Sequence, residues 1–128
     1  MGSTRLPKKA MKIINSKYVF ELVYQRLKKS KLLDQIIFST SKNKENDILV
    51  SEFKKKKIDF FRGKEHDVLD RYFHTAKKFK GSIIVRITCD CPFVDSRLVD
   101  NFIQIQKKGK FDYVSNCLPY TFPNGMDI

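Results

Sequence analysis

Residues 1–9, Met-Gly-Ser-Thr-Arg-Leu-Pro-Lys-Lys, gather small, hydroxylic and cationic side chains into one short stretch. Gly2 lets the backbone come close to a bulky anion, Ser3 and Thr4 offer hydroxyls and amides, and Arg5 and Lys9 supply positive charge. Pro7 stiffens the loop between them. Together these are the parts of a cradle for a nucleoside triphosphate. A polar terminus of the same composition can equally be disordered, so the choice depends on the rest of the chain. Further along, Arg86 interrupts an otherwise apolar run over residues 82–88. A charge there is costly unless paired, so it faces either a nucleotide or an acidic neighbour such as Asp70.

The frame that must position these groups is limited by composition. A chain of 128 residues with 41% apolar content is expected to be one domain with a real core, not a disordered polymer. No apolar run approaches the roughly 18 residues of a membrane span, and no secretory leader pattern is present. The three cysteines, Cys89, Cys91 and Cys117, form no C-x-x-C pair, which fits reduced thiols in a cytoplasm. A formal net charge of +12 raises the question of nucleic acid. The lysines, however, cluster as Lys28-Lys29-Ser-Lys31, Lys54 to Lys57, Lys77-Lys78-Phe-Lys80 and Lys107-Lys108-Gly-Lys110. Each cluster closes a helix-like segment, where cations complement the negative end of the helix dipole. The charge therefore reads as solvated helix ends in preference to a nucleic-acid surface.

Strand-like and helix-like segments alternate. Apolar residues at three-four spacing predict a helix over 17–30, a second over 45–56 with Ile48, Leu49 and Phe53 on one face, and a third over 66–79. In the third, Val68, Leu69, Tyr72, Phe73 and Ala76 are expected to face inward, and a fourth helix spans 96–107 with Ser96 as N-cap. Strands are expected at 35–40, 58–61, 82–88 (the strongest) and 111–115, with the tail after Cys117 as loop. Strict alternation implies an α/β fold with a mainly parallel sheet and helices on both faces. Ligands of such sheets lie at the carboxyl ends of the strands, which selects Ser39-Thr40, Arg62-Gly63, Thr88 to Asp90 and Ser115-Asn116 as one rim.

Five motifs, in order and in spacing, carry a family resemblance. They are Gly2-Ser-Thr-Arg-Leu-Pro-Lys-Lys9, Phe61-Arg-Gly63, Asp67-Val-Leu-Asp-Arg-Tyr72, Val85-Arg-Ile-Thr-Cys-Asp-Cys-Pro92 and Asp112-Tyr-Val-Ser-Asn116. Over essentially its whole length the chain resembles the spore-coat polysaccharide biosynthesis type of cytidylyltransferase. That type is similar in turn to the synthetases that activate sialic-acid-like sugars and 3-deoxy-octulosonate with CMP. The resemblance implies a Rossmann-like α/β/α sandwich, the nucleotide-diphospho-sugar transferase fold. It also implies a single domain that lacks the family's opening strand and C-terminal half.

The activity so implied is transfer of CMP from CTP to a sugar or sugar-acid acceptor, with Mg²⁺ neutralising the phosphates. Related enzymes are often homodimers. By matching, Arg5 and Lys9 correspond to the family's phosphate-binding cations, and Lys8 stands where the family usually carries Gly. Asp90 falls at the family's magnesium-binding carboxylate, although at such a position it could also cap a turn. Asp127 matches an Asp that touches the sugar or the metal. Ser39 and Thr40 would lie near the nucleoside, or cap the following helix. Arg62 and Asp67 fall where the family contacts base or ribose, and Asp67 is also placed to be the first acid of the third helix. Cys89 replaces a family Gly beside Asp90. Two other readings stand beside this one. The first is a sugar-1-phosphate nucleotidyltransferase or glycosyltransferase on the same fold. The second is an inactive fragment or basic binding module.

Overall fold

A computed structural model describes residues 8–109, 111–119, 121–123 and 125–128. The expectations placed on Gly2, Ser3, Thr4 and Arg5 lie outside the described residues. The chain divides into two compact units, one of residues Gln35–Ile84 and the other of residues 8–34 with Val85–Ile128.

In the second of these units, Asn15 and Ser16 both take positive φ (51° and 64°) and turn the chain tightly. They join strands β1 (Ile13–Ile14) and β2 (Lys17–Tyr18), paired antiparallel with Ile13 opposite Tyr18. Two consecutive residues with positive φ are what the favoured two-residue hairpin turn requires. Helix α1 (Val19–Leu27) follows at once, its start secured by the Tyr18 amide donating to Glu21 Oε2 at 2.8 Å. Its buried side chains Val19, Phe20, Val23 and Leu27 recur at helical spacing. Helix α4 (Ser96–Lys108) contributes Leu98, Val99 and Ile103 to the unit's core, with Ala10 and Val94. The N-cap of α4 is Asp95, whose carboxylate accepts from the Arg97 amide at 2.8 Å; Ser96 is the first helical residue. A carboxylate one residue earlier is the better acceptor for the exposed N–H groups and complements the dipole.

The 35–84 unit is a strand–helix–strand–helix succession. Strand β3 (Phe38–Ser41) pairs in parallel with β4 (Phe60–Gly63), in the register Phe38 to Phe60, Ser39 to Phe61, Thr40 to Arg62 and Ser41 to Gly63. Between them runs α2 (Asp47–Lys55), preceded by a 3₁₀ turn over Lys44–Asn46. Phe53, fully buried, sits with its ring centroid 4.7 Å from Phe38 and 6.0 Å from Phe60. Leu49, Val50 and Ile58 complete this core; Ile48, expected on the inner face, is exposed, and Val50 takes its place.

Helix α3 (Val68–Phe79) packs against both strands. Gly63 permits this approach, because a Cβ there would come within 2.8 Å of Arg71 Cγ. Both α2 and α3 end in the same hydrogen-bonded reversal. Ile58 donates to Phe53 and Lys57 to Lys54; Gly81 donates to Ala76 and Lys80 to Lys77. Lys57 and Lys80 hold the left-handed conformation that this reversal needs. Three of the lysine clusters accordingly fall in the last turns of α2, α3 and α4, and the fourth begins at the C-cap of α1.

Two expectations fail together. Residues 82–88 form no strand among the described residues, nor do 111–115. The predicted inner face of α3 is largely exposed, with Leu69 at 81% and Phe73 at 60%, and Ile84 stands at 51%. β-Branched residues supply strand propensity, but a ladder needs a neighbour to bond to, and none is present here among the described residues. β3 and β4 begin two to three residues later than the apolar runs suggested, the ladder opening where the Phe38 amide donates to the Asp59 carbonyl at 2.9 Å.

Candidate active site

The C-terminal ends of β3 and β4 bring Thr40 and Arg62 side by side in the parallel register. Arg62 is bound in place by three neighbours: Nε donates to the Ser41 carbonyl at 3.1 Å, Nη2 to the Asn43 carbonyl at 3.0 Å, and Nη1 pairs with Asp47 at 2.8 Å. It thereby fixes the loop that leaves β3. Within that loop the buried Asn46 amide donates to Ser41 Oγ at 2.6 Å. Asn43 supplies the cap for the following turn by accepting from the Glu45 amide, so neither Ser39 nor Thr40 caps it. Ser39 instead shares a 3.0 Å hydrogen bond with Thr75 on α3. Asp67 is the N-cap of α3, accepting from the Asp70 amide at 2.9 Å. Asp70 lies 3.3 Å from His74 and 3.7 Å from Lys64, and Arg71 donates to the Glu65 carbonyl at 3.2 Å.

In the other unit, one group expected at the phosphates meets one expected at the metal. Lys9 Nζ pairs with Asp90 Oδ2, although the two residues are 81 positions apart in the chain. Lys9 opens a 3₁₀ turn over Lys9–Met11, and Lys8 before it has φ 56°, the left-handed region that glycine favours. The position where the family usually carries Gly is thus one where the backbone asks for it. Asp90 lies in a tight turn closed by the Cys91 amide donating to the Thr88 carbonyl at 3.2 Å, not at the end of a paired strand. Partial burial would raise its carboxyl, but hydrogen bonds from Lys9 and Thr88 outweigh burial and hold it below the ordinary carboxylate range. Asp90 is therefore an anion at neutral pH. Burial, and next to it the Asp90 charge, pushes the Cys89 thiol up. Burial likewise raises Cys91, with Asp90 and then Asp127 adding to the effect. Neither thiol is poised as a nucleophile.

Arg86 is exposed. Asp127 lies in the tail, which Asn116 secures: its Nδ2 donates to the Met126 carbonyl at 2.8 Å and its Oδ1 accepts from the Ile128 amide at 2.9 Å. Asn116 entered the sequence reading only as part of a rim and a motif. Its role as a clip had no local signal, because its partners lie 10 and 12 residues away.

No group of three or more His, Cys, Asp or Glu side chains arranged to hold a metal ion by themselves occurs among the described residues. The oxygen donors that are present still suit a hard divalent cation. Such an ion takes one or two carboxylates and completes its shell with water and phosphate oxygens, and Asp90 is ionised, with Lys9 and Thr88 as its side-chain partners. No helix among the described residues is long and apolar enough to cross a membrane.

Comparison with known proteins places the chain among relatives. The chain is 37% identical over 117 residues to the spore coat polysaccharide biosynthesis protein SpsF of Bacillus subtilis, covering 88% of this chain and 49% of that protein. It is 40% identical over 114 residues to an uncharacterized protein of Methanocaldococcus jannaschii, covering 89% and 47% respectively. A 3-deoxy-manno-octulosonate cytidylyltransferase of Thermodesulfovibrio yellowstonii is 28% identical over 116 residues, covering 83% and 44%. Among solved structures, a cytidylyltransferase from Leptospira borgpetersenii superposes with a TM-score of 0.91 at 34% identity, covering 99% of this chain and 54% of that one. The chain thus spans about half the length of the curated relatives it matches. Its α/β architecture with a parallel strand pair is that of the Rossmann-like nucleotidyltransferases. The family profile described as cytidylyltransferase matches residues 1–122, and the chain belongs to that family.

Proposed function

We propose that this chain carries the CTP-binding part of an enzyme that transfers CMP to a sugar or sugar-acid acceptor for surface polysaccharide synthesis in the cytoplasm. The observation that carries the reading is the Lys9–Asp90 pair. A cation from the segment read as a phosphate cradle and a carboxylate from the 88–91 turn are held together although they lie 81 positions apart in the chain. Neither group caps a helix or braces a strand. In the reaction an acceptor hydroxyl attacks the α-phosphate of CTP and pyrophosphate leaves. A bound Mg²⁺ supplies charge neutralisation of the phosphates. Asp90, with Asp127 as a second carboxylate, is the residue that would hold it. Lys9 and Arg5 are assigned the departing pyrophosphate, where fixed positive charge favours the transition state over the ground state.

Around the nucleoside, the reading assigns Gly2, Ser3 and Thr4 to the phosphates and the β3–β4 rim (Ser39, Thr40, Arg62) to base and ribose. Arg62 acts there mainly by fixing the loop after β3, given its bonds to Ser41, Asn43 and Asp47. Asp67 serves the start of α3. The continuous family match over residues 1–122 supports treating both compact units as parts of one nucleotide-binding α/β domain.

The test is calorimetric titration of CTP with Mg²⁺ into the chain and into Asp90→Ala. The expected result is binding heat in the parent and at least a tenfold loss of affinity in the variant, on the scale of 1.4 kcal/mol per decade. Equal heats in both would remove Asp90 from the site. Heat with UTP or dTTP in place of CTP would reassign the nucleotide.

A further inference from the structure

We infer that Asn116 is a positioning residue for the Asp127 carboxylate, gripping the backbone on either side of it so that the side chain is presented in one orientation. Asn116 is only 4% exposed, and both ends of its amide are engaged: the donor on the Met126 carbonyl, the acceptor on the Ile128 amide. These two backbone groups bracket residue 127. The primary amide imitates a peptide unit and does for this segment what a neighbouring strand would do in a ladder. The main chain of Asn116 adds a third link, since its carbonyl accepts from the Thr121 amide at 3.3 Å and ties the intervening loop down. Among its described residues the tail has no helix or strand of its own to orient Asp127.

A buried amide with donor and acceptor both satisfied is a rigid device, because releasing either end leaves an unpaired polar group away from water. Such a clip matters to a cation ligand, which must be held before the ion arrives. The inference rests on the reading of Asp127 as the second carboxylate, and the experiment separates the two.

Mn²⁺ binding in the presence of CTP, followed by electron paramagnetic resonance, is compared for the parent, Asn116→Ala, Asp127→Asn and the double variant. Loss of an outer-shell support commonly weakens metal binding about 10–100-fold, so Asn116→Ala is expected to weaken Mn²⁺ by about tenfold. The double variant should bind no more weakly than Asp127→Asn alone, because a residue acting only through Asp127 has nothing left to position. Faster deuterium exchange at the Ile128 amide in Asn116→Ala reports the opened clip. If alanine unfolds the chain, Asn116→Gln keeps an amide but sets it one methylene too far, and the same loss is expected. Losses that add in the double variant, or an unchanged Mn²⁺ affinity in Asn116→Ala, would overturn the positioning role while leaving Asp127 a ligand. An unchanged affinity in Asp127→Asn would overturn the ligand reading and this inference with it.

Discussion

The two compact units employ their charged residues in opposite ways. In residues 35–84, Arg62 and Asp67 serve secondary structure: one braces the loop after β3, the other caps α3. In the other unit, Lys9 and Asp90 bond to each other from a short 3₁₀ turn and a tight turn, and neither side chain caps a helix or braces a strand. The physical difference lies in chain separation. The partners of Arg62 are 15 to 21 positions away, within one strand–helix–strand unit, whereas Lys9 and Asp90 must be brought together over 81. Local bonding of the first kind contributes stability. A long-range pair of partly exposed ions contributes little stability and leaves both groups available to a ligand that offers better partners.

The sharpest way to break this contrast is to attack the core on which the first unit depends. Phe53→Ala removes the ring between Phe38 and Phe60 and is expected to cost about 3–5 kcal/mol, read as a lower urea midpoint with the 35–84 amides losing exchange protection first. Uniform loss of protection across both units would show that this core does not serve the 35–84 unit in particular. Next in size is Arg62→Met, which strips three charge-assisted contacts from the β3 loop. A loss of about 1.5–3 kcal/mol is expected, measured by denaturant titration. The paired experiment is Asp90→Asn, where stability should move by less than about 1 kcal/mol while CTP affinity falls. A reversal, with Arg62→Met neutral and Asp90→Asn strongly destabilising, would invert the assignment of structural and functional charge.

Acid offers a smaller perturbation. Three carboxylates of the second unit, Asp90, Asp95 and Asp100, titrate below their usual range. Asp95 is held at about 2 by the Arg97 side chain and then its amide. Asp100 would be raised by burial, but the Lys31 amide, the Ser30 hydroxyl and the Leu32 amide lower it. A depressed folded-state value means that the contribution to stability is present above the unfolded pKa and is lost as pH falls through about 4 towards 2. Hydrogen exchange in α4 should therefore accelerate in that window, while the Phe38–Phe53–Phe60 cluster has nothing to titrate. Asp95→Ala should cost about 1 kcal/mol at neutral pH through loss of the cap, and Asp95→Asn should keep the cap while flattening the acid response.

Much of the first unit was legible along the chain. The apolar spacing of Leu49 and Phe53 marked α2, and the lysine runs marked the helix ends within one or two residues. The alternation of elements pointed to a parallel pair, and β3–β4 is one. The β1–β2 hairpin was missed, although Asn15 between Ile14 and Lys17 was the available turn signal. The face of α3 and the 82–88 segment were misjudged for a common reason. Periodicity states which side chains would favour burial, not whether a partner stands opposite to bury them.

Sequence alone therefore determined what depends on near neighbours: the approximate helix spans, and the chemical capacity of Lys9 and Asp90 as a cation and an anion. Tertiary structure decided which groups are used up and which remain. It assigned Arg62 to a loop, Asp67 to a cap and Asn116 to the backbone around Asp127, and it set Lys9 against Asp90. Hydrogen bonds and ion pairs form by proximity in space. A linear pattern records the chemical capacity of each residue, and only the folded chain shows which partner satisfies it.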